Sequence, residues 1–223
     1  MNPNRTFKYR SPRQKCDLFW SVLWPSLLGI AIFLTHALLY AFTAQQLQTY
    51  PNAFLLEKLA YGALAVLAYG FYRQSARALT LPEVAPTNNR PGESILAALL
   101  AALCLYGVLR AFLMLVGAAN TIERPGSSGA ALPFALLISG LLTPAAEELL
   151  YRAGLFQFLS RSISRSMALI LSTFCFAIVH PIASAPFMVL CGLVFGVLYW
   201  RYGLIPSILA HVVYNLLILL SAG

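Results

Sequence analysis

Apolar residues in this chain come in runs of about twenty, separated by short polar stretches, and the runs lack the two-residue alternation of half-buried strands. The pattern predicts seven helices, over residues 18–44, 53–72, 93–118, 132–151, 167–180, 187–200 and 204–220, the fourth with room to continue through Phe158. Residues 73–91 make the longest polar connector, and 120–130, with Gly126 and Gly129, a turn-rich loop. The fifth and sixth runs, at about fourteen residues, fall short of the roughly twenty that a perpendicular crossing needs. Pro181 and Pro186 lie between them, so these two runs read either as full crossings or as a broken, re-entrant turn that keeps His180 at membrane depth.

Composition turns this pattern into a fold class. With 60% hydrophobic residues, 10% charged residues and a mean hydropathy of +0.76, the chain has too little polar surface to cover itself in water. The expectation is an all-α, polytopic membrane helical bundle of about seven transmembrane helices, multi-pass, with the lipid bilayer as its partner. Outer-membrane strands alternate in polarity every second residue, and nothing here does.

The net charge of +8 raises the question of nucleic acid, but the basic residues sit at segment ends and not on an aromatic-interleaved surface, so no nucleic-acid partner is expected. They work better as topology signals. The N-terminal tail holds five, and the connectors expected on the same side hold Arg73, Arg77, Arg90, Arg152, Arg161, Arg165 and Arg201. The opposite loops hold Lys58 and Arg124. Cytoplasmic loops carry the excess of Lys and Arg, so the N-terminus is expected inside and the C-terminus outside.

Residues 1–17 then form a cytoplasmic basic tail and 18–223 a single membrane domain. The first apolar run is too long for a cleaved signal and lacks a small-residue cleavage site. Cys16, Cys104, Cys175 and Cys191 are scattered without metal-ligand spacing and read as ordinary core or juxtamembrane thiols. His36 and Arg110, each alone in an apolar run, read as packing residues or as cavity-lining ones.

Against this apolar background the stretch from Pro144 to Arg152 stands out, because it places Glu147, Glu148 and Arg152 at the end of the fourth run. Insertion costs roughly 2.5 to 3.5 kcal/mol for such a residue at mid-membrane, so the cluster marks a functional site with partners to be found. Residues four apart share a helix face, which pairs Glu148 with Arg152 and turns Glu147 about 100° away. His211 and Asn215 are also four apart, about 10 to 16 Å along the seventh helix. Glu147 and His180 fall at similar depth, so Glu147, His180, His211 and Asn215 converge on one cytoplasm-facing cavity.

A carboxylate, two imidazoles and an amide suit metal-free hydrolysis, with the carboxylate and one histidine holding and deprotonating water while the other histidine and the amide donate to an oxyanion. No cofactor is required. A zinc site of the His₂Glu type stays open on these residues, although no HExxH is present. Serine-type and aspartyl-type mechanisms lack their residues.

Three motifs then resemble one family. Glu147-Glu148-Leu-Leu-Tyr-Arg152 resembles its EExxxR motif, Phe176-Ala-Ile-Val-His180 its FxxxH motif, and His211-Val-Val-Tyr-Asn215 its HxxxN motif, in the family's order. The family is that of the CAAX-protease and bacteriocin-processing (Abi) intramembrane glutamic endopeptidases, and the resemblance spans residues 132–220. It implies that Glu147 and His180 activate water and that Glu148 and Arg152 form a supporting pair. It further implies that His211 and Asn215 stabilise the oxyanion and that Phe176 packs beside the site, without a metal.

The expected function is therefore endopeptidase cleavage of a membrane-associated or lipid-modified protein or peptide, in a prokaryotic inner membrane. The alternative is a non-catalytic membrane adaptor or bacteriocin self-immunity protein using the same fold. A proton-coupled transporter is disfavoured, since no inverted repeat shows in the hydropathy.

Overall fold

The computed structural model describes residues 90–116, 132–180 and 184–221, with scattered positions between 62 and 86. The expected basic tail, the first helix with His36, Cys16 and the 120–130 loop lie outside the described residues, as does most of the second helix. The described positions between 62 and 74 are helical, and Ala65 is buried in the core.

Among the described residues the structure is helical throughout, without strands. Helix α1 spans Pro91–Leu115. Proline suits its first turn, where the missing N–H would have no intrahelical acceptor. Ala98, Ala102 and Leu105 form its buried stripe, while Leu96, Leu100, Leu103, Phe112 and Leu115 stand exposed. Small residues inward and large apolar ones outward are what a lipid-facing helix requires, because close backbone approach replaces the hydrophobic drive between helices in lipid.

Helix α2 runs without interruption through residues 132–162 and changes its winding on the way. Its Leu136–Leu142 and Leu149–Phe156 stretches are π-helical, and the Thr143–Glu148 turn between them is α-helical. Pro144 accounts for the first change. A proline ring clashes with the carbonyl four residues back, and a widened turn relieves that clash. Thr143 N–H accordingly bonds to Ile138 O, five residues back. We have no comparable cause for the second π stretch.

Helices α3 (Arg165–Ile178), α4 (Ala185–Tyr202) and α5 (Leu204–Ser221) complete the described bundle. The Ser164 hydroxyl accepts from Met167 N–H at 3.3 Å and caps α3. Helices α3 and α4 pack closely through Gly192 and Gly196. A Cβ at Gly192 would lie 3.0 Å from Thr173 Cγ2, and one at Gly196 would collide with Leu169 Cδ1. Gly203, at φ 92° and ψ −168°, turns the chain from α4 into α5 in a backbone region open essentially to glycine alone. Helix α5 is the centre of the assembly, packed against α1, α2 and α4.

One expectation changes and one holds. Pro186 falls in the first turn of α4 and does not break it, so α4 has 18 residues and is long enough to cross a bilayer. The fifth run remains short, 14 residues as α3, and ends at a Val179 cap. Among the described residues three helices are long and apolar enough to span a membrane, α1, α4 and α5. The protein is an integral membrane protein.

Candidate active site

The polar groups meet where the α-helical turn of α2 faces the middle of α5, with α3 and α4 closing the sides. Ser207, His211 and Asn215 recur every four residues and so form one stripe along α5. Ser207 and His211 are buried, at 0% and 4% exposure.

Glu148 is the anchor. It is fully buried, and its Oε2 accepts from the Ser207 hydroxyl at 2.5 Å. Its Oε1 lies 2.9 Å from His211 Nδ1 and 3.3 Å from Arg152 Nη1. The expected Glu148–Arg152 pair is therefore present and is larger than a pair. Arg152, itself buried, donates from Nη2 to Gly192 O at 3.1 Å, and its guanidinium lies 4.6 Å from the Phe176 ring centroid. Gly192 allows the α3–α4 approach, and the backbone there carries the carbonyl that Arg152 reaches. Ser207 and His211 meet the Glu148 oxygens and the Gly192 carbonyl meets Arg152 Nη2, while Arg152 Nη1 has only its 3.3 Å ionic contact with Glu148.

Glu147 is also buried, and its defined ionic contact among the described residues is His211 Nε2, 3.6 Å from Oε2. His211 thus stands between the two carboxylates. An ionised carboxylate can only accept, so the 2.9 Å contact assigns the Nδ1 hydrogen to Glu148 and turns Nε2 toward Glu147. Phe195 fixes the ring plane from α4, stacked at 4.4 Å and 20°.

His180 sits at the C-terminal end of α3. Its Nδ1 lies 2.9 Å from Phe176 O, and a carbonyl only accepts, so Nδ1 is the donor and Nε2 carries the lone pair in the neutral ring. Phe176 is buried and central to the site. Its ring lies 4.8 Å from His180, 5.9 Å from His211 and, edge-on, 5.5 Å from Tyr151. Both imidazoles therefore flank one ring, and Phe176 packs beside both.

Asn215 bonds elsewhere than the convergence argument places it. Its Nδ2 donates to Ser139 O at 3.0 Å. In a π-helix the Ser139 carbonyl would take its hydrogen from residue 144, and Pro144 has none. Asn215 supplies the missing donor and keeps a second Nδ2–H and its Oδ1. The structure thus brings together Glu147, Glu148, Arg152, His211 and Phe176, sets His180 against Phe176, and ties Asn215 to the π turn.

Sequence reasoning missed Ser207, Phe195 and the Gly192 carbonyl. Ser207 had a signal, since it lies four residues before His211 on the same face. Among the described residues no three His, Cys, Asp or Glu side chains form a group that could hold a metal ion.

The family model described as type II CAAX prenyl endopeptidase, Rce1-like, matches residues 129–217. That stretch is similar to the Rce1-like CAAX-protease family. The match covers about two fifths of the chain and takes in every residue of the site described above. No curated protein and no solved structure matches the chain. The Rce1-like region begins just before α2 and ends within α5, so its two bounding helices are the two that face each other across the carboxylates.

Proposed function

We propose that this protein is a multi-pass intramembrane endopeptidase of a prokaryotic inner membrane, cutting a membrane-anchored or lipid-modified peptide with water activated by Glu147. The observation that carries the reading is the contrast between two adjacent buried carboxylates. Glu148 is saturated by Ser207, His211 and Arg152, whereas Glu147 has His211 Nε2 at 3.6 Å and no closer ionic partner among the described residues. A buried carboxylate with free lone pairs is placed to take a proton.

In the proposed reaction a water gives one proton to Glu147 while its oxygen bonds to the scissile carbonyl carbon. The C=O π electrons move onto oxygen, and this oxyanion accepts hydrogen bonds. As a cation, with hydrogens on both nitrogens, His211 donates from Nε2, and the spare Nδ2–H of Asn215 is the second donor. The neutral Nε2 of His180 accepts from the attacking water and orients it. Collapse of the tetrahedral carbon breaks the C–N bond, and the proton held by Glu147 passes to the leaving amine. No metal takes part. Glu148, with Ser207 and Arg152, holds the Nδ1 side of His211.

The test is cleavage of a farnesylated peptide ending in a CAAX sequence by the detergent-purified protein. The Glu147→Gln variant should lose activity by at least about 10³-fold, the scale of general-base catalysis combined with a lost negative charge. Cleavage by Glu147→Gln at the wild-type rate excludes this mechanism and favours the adaptor reading.

A further inference from the structure

Across the α2–α5 seam Glu147 Oε2 lies 3.6 Å from His211 Nε2, and Asn215 Nδ2 donates to Ser139 O at 3.0 Å. Thr143 and Glu147 are four apart within the α-helical turn Thr143–Glu148 and so share a face. Thr143 therefore lies one turn before Glu147, on the face that Glu147 turns toward His211 of α5. It is 8% exposed, and its Oγ1 is buried without a hydrogen-bond partner.

That is unusual for a helical threonine. Its hydroxyl ordinarily donates to the carbonyl four residues back. Here that carbonyl belongs to Ser139 and accepts from Asn215 instead. The neighbouring Ser139 Oγ is also buried and unpartnered. A buried hydroxyl without a partner costs about 1 to 3 kcal/mol, so the Thr143 hydroxyl, one turn from Glu147, marks a position open to completion by a ligand.

The spacing identifies the ligand chemistry. Thr143 stands one helical turn, about 6 Å, from Glu147. In an extended peptide, carbonyls on the same side recur every two residues, about 6.6 Å. We propose that the Thr143 hydroxyl is a substrate-contacting donor, hydrogen-bonding an extended peptide's backbone carbonyl two residues from the one that Glu147-activated water attacks. The inference rests on the endopeptidase reading and adds to it a backbone-reading position that ignores the substrate's side chains.

The experiment compares Thr143→Val, which keeps the shape and removes the hydroxyl, with Thr143→Ser, which keeps the hydroxyl. For cleavage of the farnesylated CAAX peptide, Thr143→Val should raise KM about tenfold with kcat changed less than about threefold, as loss of one neutral hydrogen bond predicts. Thr143→Ser should stay near wild type. Thr143→Val should melt no lower than the parent, since no bond in the free protein is lost.

Affinity is also read without turnover, from peptide binding to the Glu147→Gln protein with and without Thr143→Val. Unchanged KM and affinity in Thr143→Val overturn the inference while leaving the endopeptidase reading intact. Equal losses in Thr143→Ser and Thr143→Val assign the effect to shape and also overturn it. A wild-type protein that binds the peptide without cutting it ends the endopeptidase reading, and the affinity pair still decides Thr143. Neither binding nor cleavage overturns both.

Discussion

On the Glu148 side of the α2–α5 seam the carboxylate is surrounded by donors: Ser207 at 2.5 Å, His211 Nδ1 at 2.9 Å and Arg152 at 3.3 Å, all of them buried. On the Glu147 side, one residue earlier in the chain, the carboxylate meets His211 Nε2 at 3.6 Å, and the Thr143 hydroxyl one turn away bonds to nothing. The two sides have nearly the same burial and the same residue chemistry. What separates them is satisfaction of hydrogen-bonding capacity. Saturation makes a carboxylate structural, because its proton affinity and position are both committed. An under-satisfied one keeps lone pairs for a water.

The largest effect expected from perturbing this contrast is on fold stability, at Glu148. Glu148→Gln leaves Arg152 buried without its counter-charge and takes the ionic partner from His211 Nδ1. Breaking a buried pair from one side costs about 3 to 5 kcal/mol. Thermal unfolding in detergent should show a marked loss, and activity should fall with it. Glu147→Gln, by contrast, should unfold within about 1 kcal/mol of wild type, since the 3.6 Å contact is too long for a hydrogen bond. If the two variants melt alike, the division of labour is wrong.

Ser207→Ala comes next. It removes one donor to a charged group, worth about 1.5 to 3 kcal/mol, and leaves Glu148 otherwise paired. Melting should fall by less than in Glu148→Gln. Cleavage should fall too, because the His211 ring loses part of its support. A Ser207→Ala protein with unchanged melting would mean that Glu148 is held by Arg152 and His211 alone.

Asn215→Leu should have the smallest structural effect, about 1 kcal/mol, from the Ser139 carbonyl left without the donor that Pro144 cannot give. Its kinetic effect sharpens the comparison. A rate loss well beyond what the melting shift explains places Asn215 among the oxyanion donors, on the unsaturated side. A loss confined to stability makes it a partner of the π turn alone.

The helices were readable because apolar runs of this length leave few alternatives, and the ends of α1 and α5 fall within about three residues of expectation. The sixth run reads short when its prolines count as breaks, and Pro186 is instead a first-turn proline. The charged residues of the site were equally visible, since each is expensive in an apolar run. Their pairing was legible only in part. Four-residue spacing found Glu148–Arg152 and the His211–Asn215 face, but it treated α2 as uniformly α-helical.

The π stretches on either side of Thr143–Glu148 follow from Pro144 at one end only, and a change of winding moves every later side chain around the axis. Backbone acceptors such as Gly192 O and Ser139 O carry no residue signature. A serine such as Ser207 in an apolar run looks like any small residue until a carboxylate is seen opposite it.

The central claim is that Glu147 does the chemistry and Glu148 the holding. The measurement that tests it most directly is turnover and thermal unfolding of Glu147→Gln, side by side with wild type, in the same detergent with the same farnesylated CAAX peptide. The account predicts an unfolding temperature close to wild type and cleavage reduced by at least about 10³-fold. A Glu147→Gln protein that cleaves at the wild-type rate, or that loses activity only because it no longer folds, would contradict it.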